Sequence, residues 1–178
     1  MTRLYNQPSS EATGHAAQLF SAIKSAVGMV PNAYATVGNN SPVALEAALT
    51  LDATLKKTSL SAKDIEIIKL AVSETSACDY CLAAHTLFGK KLGLSREAIL
   101  GLRHGQPSGD TRNDALANFA RSLVTTHGTV PVEVLDTVKT AGFTDAQIVD
   151  IALVITSITF TNLVNRINDT TVDFPAAD

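Results

Sequence analysis

The sequence has no tryptophan, and only three tyrosines and six phenylalanines. It therefore offers no platform of stacked rings for single-stranded nucleic acid. Its 14 lysines and arginines form no run or stripe, and the net charge is −3. The basic face that a nucleic-acid partner needs is missing. Strand-like alternation bounded by hairpin turns is also missing, which argues against a β-sandwich or barrel. Only two cysteines are present, so no disulfide framework holds the fold. At 178 residues the chain can bury a sufficient core without one. No apolar run follows Met1-Thr2-Arg3-Leu4, so no secretory signal is read. The most apolar stretch, residues 148–164, contains Asp150, Thr156, Ser157, Thr159, Thr161 and Asn162. It is too polar and too short for a membrane span and is expected to be a buried helix. The expectation is a cytoplasmic protein with no membrane partner.

What is present is helical. Apolar residues make up 46% of the chain and charged residues 17%. That lean toward apolar side chains suggests surface buried between subunits. Helical spacing carries Ala16, Leu19, Phe20, Ile23 and Val27 up to Gly28. Ser41-Pro42 is a cap followed by a first-turn proline. Ser61 with Asp64, and Thr144 with Gln147, have the capping-box pattern. Further helices are expected over residues 78–92, from Ser95, over 110–127, and from Pro131 to about Gly142. The tail from Asp169 is expected to be extended or loose. The pattern predicts one all-α domain over residues 1–178.

An internal echo runs through this pattern. A shift of 83 residues lays Ser61 on Thr144 and Asp64 on Gln147. Ile65, Ile68 and Leu70 then meet Ile148, Ile151 and Leu153, which suggests two related helical hairpins. Thr161 and Val164 fall where the first copy has Cys78 and Cys81, so one copy would carry chemistry.

That chemistry centres on Cys78-Asp79-Tyr80-Cys81, with His85 one turn further on. Residues three apart on a helix share a face, so the two sulfurs can meet. A helix N-terminus favours thiolate over thiol through its free N–H groups and dipole. The thiolate is the nucleophile, and a partner sulfur can resolve an oxidised intermediate as a disulfide. Asp79 opposes the thiolate while it favours the helix start. His85 can accept a thiol proton. Glu66, flanked by Ile65, Ile67 and Ile68 on the preceding helix, could reach the same site if the helices fold back on each other. A carboxylate in such a setting suits proton transfer near neutrality.

Other readings of the same residues stand beside this one. The cysteines could be two small buried apolar residues. Cys78, Cys81 and His85 could supply three metal ligands, but a closed zinc site needs a fourth. His15, His104 and His127 are candidates, although none sits at motif spacing, and all three read as surface or cap residues. No metal and no other cofactor is expected. Glu66 alone could be a surface residue paired with Lys63 or Lys69. Glu74, beside the helix break, is expected to be solvated. Tyr80 could contact substrate or relay a proton, or it could line a helix interface. Asn165, Arg166 and Asn168 could brace the site or a subunit interface.

The stretch from Glu66 to Ser73 leading into Cys78-x-x-Cys81-x-x-x-His85 resembles the alkylhydroperoxidase D and carboxymuconolactone decarboxylase-like family. The match is strongest over residues 61–94. The ending Asn165-Arg166-Ile167-Asn168, with Val172-Asp173-Phe174, resembles its longer, peroxidase-related branch. The resemblance implies an all-helical homo-oligomer, a trimer or hexamer, that reduces a small-molecule hydroperoxide. An external dithiol would restore it. It also implies that Cys81 attacks, Cys78 resolves, and Glu66 and His85 relay protons. The best-known members have a histidine directly before the second cysteine, where this chain has Tyr80. The family's decarboxylases lack the cysteine pair, which argues against lactone decarboxylation here. Two other functions fit the residues: a disulfide oxidoreductase without a peroxide substrate, and a non-enzymatic module that binds metal or senses oxidants.

Overall fold

The structure is a computed structural model and describes residues 2–177. Local capping decides where most helices begin. A 3₁₀ turn over Ser9–Glu11 precedes α1, which starts at Gly14 and runs to Val27. Gly28 ends it in the left-handed conformation, at φ 87°. Then come α2 (Asn32–Asn40) and α3 (Pro42–Leu55). Ser41 caps α3 by accepting from the Ala44 N–H. The next four are α4 (Ala62–Thr75), α5 (Asp79–Lys91), α6 (Arg96–His104) and α7 (Thr111–Thr125). The last are α8 (Val132–Thr140) and α9 (Asp145–Asn168). Among the described residues there is no β-strand, and the all-α expectation holds.

The helix α4 lies at the centre. Ile67, Ile68, Leu70, Ala71, Val72 and Ser73 are all fully buried. A helix enclosed on most of its circumference is a core element. Around it pack Leu116, Phe119 and Ala120 of α7, Ile151, Val154 and Ile158 of α9, and Ile99 and Leu102 of α6. A second cluster joins α1, α2 and α3 through Phe20, Ile23, Val37 and Leu45. Gly38 is required there: a Cβ would sit 2.5 Å from the Phe20 ring and 2.7 Å from Leu45.

By length and composition α9 could cross a membrane. It instead packs against α2, α3, α4, α5 and α7. Its inner face carries a polar ladder. Ser157 donates to Asp52 at 2.8 Å, and Asn162 donates to Ser73 at 3.2 Å. Asn168 donates to Thr36 at 3.1 Å, while its carbonyl oxygen accepts from the backbone of Arg3 and Leu4. Each bond satisfies a polar group that burial would otherwise penalise.

The echo between the two helix starts is real at the caps. Ser61–Asp64 and Thr144–Gln147 both form complete capping boxes. It ends at residue 77. The first copy breaks there and turns into α5, whereas α9 continues unbroken for 24 residues. The C-terminal segment is extended, as expected, but not loose. Asp173 accepts from the Asn32 N–H, the Thr171 carbonyl accepts from the Asn32 side chain, and the Ala177 carbonyl accepts from Arg103.

Candidate active site

The break between α4 and α5 builds the site. Ala77 takes a left-handed conformation, φ 48°, and the Cys78 N–H donates to the Ser73 carbonyl at 3.0 Å. The chain thereby leaves α4 and re-enters a helix with Cys78 at the N-cap of α5. Cys81 follows one turn in and His85 one turn later. Both cysteines are free, and their sulfurs lie 3.0 Å apart, at 1% and 2% exposure.

A pair this close shares one proton easily and gives up two with difficulty. The hydrogen bond from Cys81 lowers the Cys78 thiol to about 7 against the penalty of burial, helped by Asn162 and Arg166. The same bond pushes Cys81 up, reinforced by burial and by the charge on Cys78, with Asn165 and Asn162 opposing. The pair therefore gives up its first proton far more readily than its second.

Glu66 arrives from α4 because the break folds α5 back along that helix. Its Oε2 lies 2.7 Å from His85 Nδ1, with both side chains mostly buried. An ionised Glu66 makes Nδ1 the donor and leaves Nε2 as the acceptor nitrogen. No hydrogen bond among the described residues joins the imidazole to either sulfur. His85 and Cys81 instead share one cavity of about 600 Å³, whose apolar walls include Tyr34, Phe88 and Phe174. Cys78 does not line it.

One expectation is corrected by the contacts. Glu74 is not simply solvated: α6 brings Arg103 Nε to 2.6 Å from its carboxylate. Tyr80 lines the same cavity, and its hydroxyl is engaged on both sides. It accepts from the Ala33 N–H at 3.1 Å and donates to Asp173 at 2.7 Å. Burial, then Asp173, raises its ionisation well above the usual range despite Ala33. Its ring meets Phe174 edge-on at 5.6 Å, and Phe174 meets Phe88 in the same way at 6.0 Å. Tyr80 thus fastens the C-terminal segment as a wall of the cavity. Among the described residues no group of three His, Cys, Asp or Glu side chains is placed to hold a metal ion. His15, His104 and His127 lie on the surface, away from the pair.

Residues 42–131 match the carboxymuconolactone decarboxylase family. The chain belongs to this family. The family includes enzymes, and solved structures of similar shape show the same fold at low identity. One is an uncharacterised peroxidase-related protein from Ralstonia eutropha JMP134 with an alkylhydroperoxidase AhpD core. It is 19% identical, with 97% of this chain and 92% of that one covered, at a TM-score of 0.84. Another is an uncharacterised peroxidase-related protein from Silicibacter sp. TM1040, 23% identical, with 99% and 97% covered, at 0.80. A third is the debrominase Bmp8 in complex with 2,3,4-tribromopyrrole, 18% identical, with 97% and 92% covered, at 0.79. No curated protein matches by sequence.

Sequence reasoning missed part of this member's site. Asn162 was visible only as a polar residue in an apolar stretch, yet it stands against the sulfur pair. Asn165 donates to Cys81 Sγ at 3.4 Å, and Arg166 donates to the Ala77 carbonyl at the break. The available signal was the spacing of Ser157, Asn162, Asn165 and Asn168 along one face of an otherwise apolar helix.

Proposed function

We propose that this protein reduces organic hydroperoxides with its buried dithiol. The observation that carries the reading is the arrangement around Cys81. The partner sulfur lies 3.0 Å away, and the Glu66-paired His85 lines the same cavity. In the first step the Cys81 sulfur attacks the terminal peroxide oxygen. An S–O bond forms, the O–O bond breaks, and the alkoxide that leaves takes a proton relayed through His85. In the second step the Cys78 sulfur attacks the Cys81 sulfenic acid, and water leaves. The peroxide gains two electrons and the dithiol becomes a disulfide, which an external dithiol reduces.

Cys81 is assigned the attack although Cys78 is the more readily ionised thiol. Substrate in the cavity meets Cys81 alone, and a proton need cross only the 3.0 Å between the sulfurs. Burial of both sulfurs also weighs against a protein disulfide as the partner, since neither is open to a large surface. Single-turnover assays with cumene hydroperoxide test the assignment. Cys78→Ser should consume one equivalent and hold a sulfenic acid that a dimedone probe traps. Cys81→Ser should consume none. The reverse pattern exchanges the roles.

A second reading follows from the cavity, whose volume and aromatic walls suit a ring-sized substrate. One structural neighbour is a debrominase, so reductive dehalogenation of an aromatic ring by the same dithiol is the alternative. Halide release from a bromopyrrole, with no peroxide consumed, would favour it. The protein is also proposed to be cytoplasmic and a homo-oligomer. The apolar stripe Val149, Leu163 and Ile167 on the outer face of α9 supports the latter, and a monomer by light scattering would refute it.

A further inference from the structure

Two carboxamides stand over the sulfur pair, and each keeps one polar atom without a partner. Asn165 and Asn162 are 4% and 2% exposed. The nitrogen of Asn165 donates to Cys81, and that of Asn162 donates to Ser73. Neither carbonyl oxygen accepts a hydrogen bond from any described residue. A buried carbonyl without a donor is costly, and native proteins keep few of them. The two residues differ in one respect. Asn165 lines the cavity that holds Cys81 and His85, and Asn162 does not.

We infer that Asn165 is a further catalytic residue: its carboxamide nitrogen holds the Cys81 sulfur while its carbonyl oxygen receives the O–H of the bound hydroperoxide. This inference rests on the peroxidase reading. The only hydrogen on a hydroperoxide's O–O unit is on the terminal oxygen, which is the atom Cys81 attacks. A carbonyl that accepts this hydrogen brings the correct oxygen to the sulfur. The proton stays on that oxygen as the S–O bond forms and the O–O bond breaks. The sulfenic acid hydroxyl therefore keeps the same partner until Cys78 displaces it as water. One planar side chain would thus steady the nucleophile with its donor and orient the electrophile with its acceptor. Asn162 serves the sulfur pair only.

The titratable and charged groups around the pair include Asp79, Tyr80 and His85 on α5, Glu66 on α4, Arg166 on α9 and Asp173 in the C-terminal segment. Substitution of either asparagine leaves all of them in place. The test compares Asn165→Leu with Asn162→Leu, with Asn165→Asp as a variant that keeps an acceptor and loses the donor. Two rates are read in a Cys78→Ser background, where the midpoint belongs to Cys81: alkylation by iodoacetamide against pH, and single-turnover reduction of cumene hydroperoxide well above the alkylation midpoint. Both leucine variants should raise the midpoint, by about one pH unit. Only Asn165→Leu should also slow the peroxide step where the thiolate is full, by about 10- to 100-fold. Asn165→Asp should raise the midpoint and recover part of that peroxide rate. If Asn165→Leu leaves the high-pH peroxide rate unchanged, the carbonyl role is overturned. An unchanged midpoint overturns the nitrogen role. Should Asn165→Leu not fold, the Asn165→Asp midpoint and rate decide the matter. Wild type that alkylates normally but never reduces the peroxide overturns the peroxidase reading alone. A raised midpoint in Asn165→Leu would still support the hold on Cys81.

Discussion

The segments that begin at Ser61 and Thr144 start alike and end differently. Both open with a complete capping box, and both bury an isoleucine seven residues after the cap, Ile68 and Ile151. The first then breaks at Ala77 and restarts, and the second runs straight through its matching position, Phe160. The difference divides the labour of the site. The break creates a helix N-terminus, and the sulfur pair sits on it. The unbroken partner exposes no such terminus beside the site, but its length lets Asn162, Asn165 and Arg166 reach the break from across the core. The copy that carries the cysteines is the one whose helix is interrupted, and the continuous copy holds it in place.

The strongest challenge to this comparison is to remove what the copies share. Ile68→Ala and Ile151→Ala should each cost about 2–5 kcal/mol in denaturant unfolding. A large cost at one site and none at the other would reduce the echo to a coincidence of caps. The next challenge targets what they do not share. Glu66 has the exposed Val149 as its counterpart, so Glu66→Gln should cost catalysis and little else. Turnover should fall about 10²-fold, with the melting temperature nearly unchanged. Undiminished turnover would remove Glu66 from the relay.

A smaller effect separates the two caps. Asp64 is buried and accepts two bonds from Arg112, at 2.7 and 3.2 Å, while Gln147 is neutral. Despite burial, Arg112 and Ser61 hold the Asp64 carboxyl below its usual range. Its contribution is therefore present above the unfolded carboxyl value and lost as pH falls through the folded one. Asp64→Asn should cost about 1–2 kcal/mol at pH 7 and progressively less below about pH 4. Gln147→Ala should cost about 0.5–1 kcal/mol with no such pH dependence. Equal pH profiles would refute the distinction. The smallest effect is at the break. Ala77→Gly relieves a left-handed alanine and should stabilise by up to about 1 kcal/mol, provided the break is a fixed feature of the fold. A loss of stability would mean that Ala77 is not held in that conformation.

How legible these features are follows the range over which each is decided. Ser61, Asp64, Thr144 and Gln147 set their caps within four residues, and the break beside Glu74 was equally local. The pairing of Glu66 with His85 was legible because one hairpin brings them together. Tyr80 was harder to read: its hydroxyl is bound by Asp173, 93 residues away, and local sequence gives no sign of that partner. Glu74 was misjudged for the same reason, since Arg103 comes from a different helix. Asn165 could be flagged, but which face of α9 meets the cysteines depends on how the whole core packs.

The C-terminal location of this support has a consequence in time. Asn165 follows Cys81 by 84 residues, and at about 5–20 residues per second a ribosome needs roughly 4–17 s to make the intervening chain. Asp173 and Phe174 come later still. Until they emerge, the newborn dithiol has neither its amide partners nor its cavity wall. The folded protein shields both sulfurs almost completely, so the nascent chain is where stray oxidants have the freest access to them.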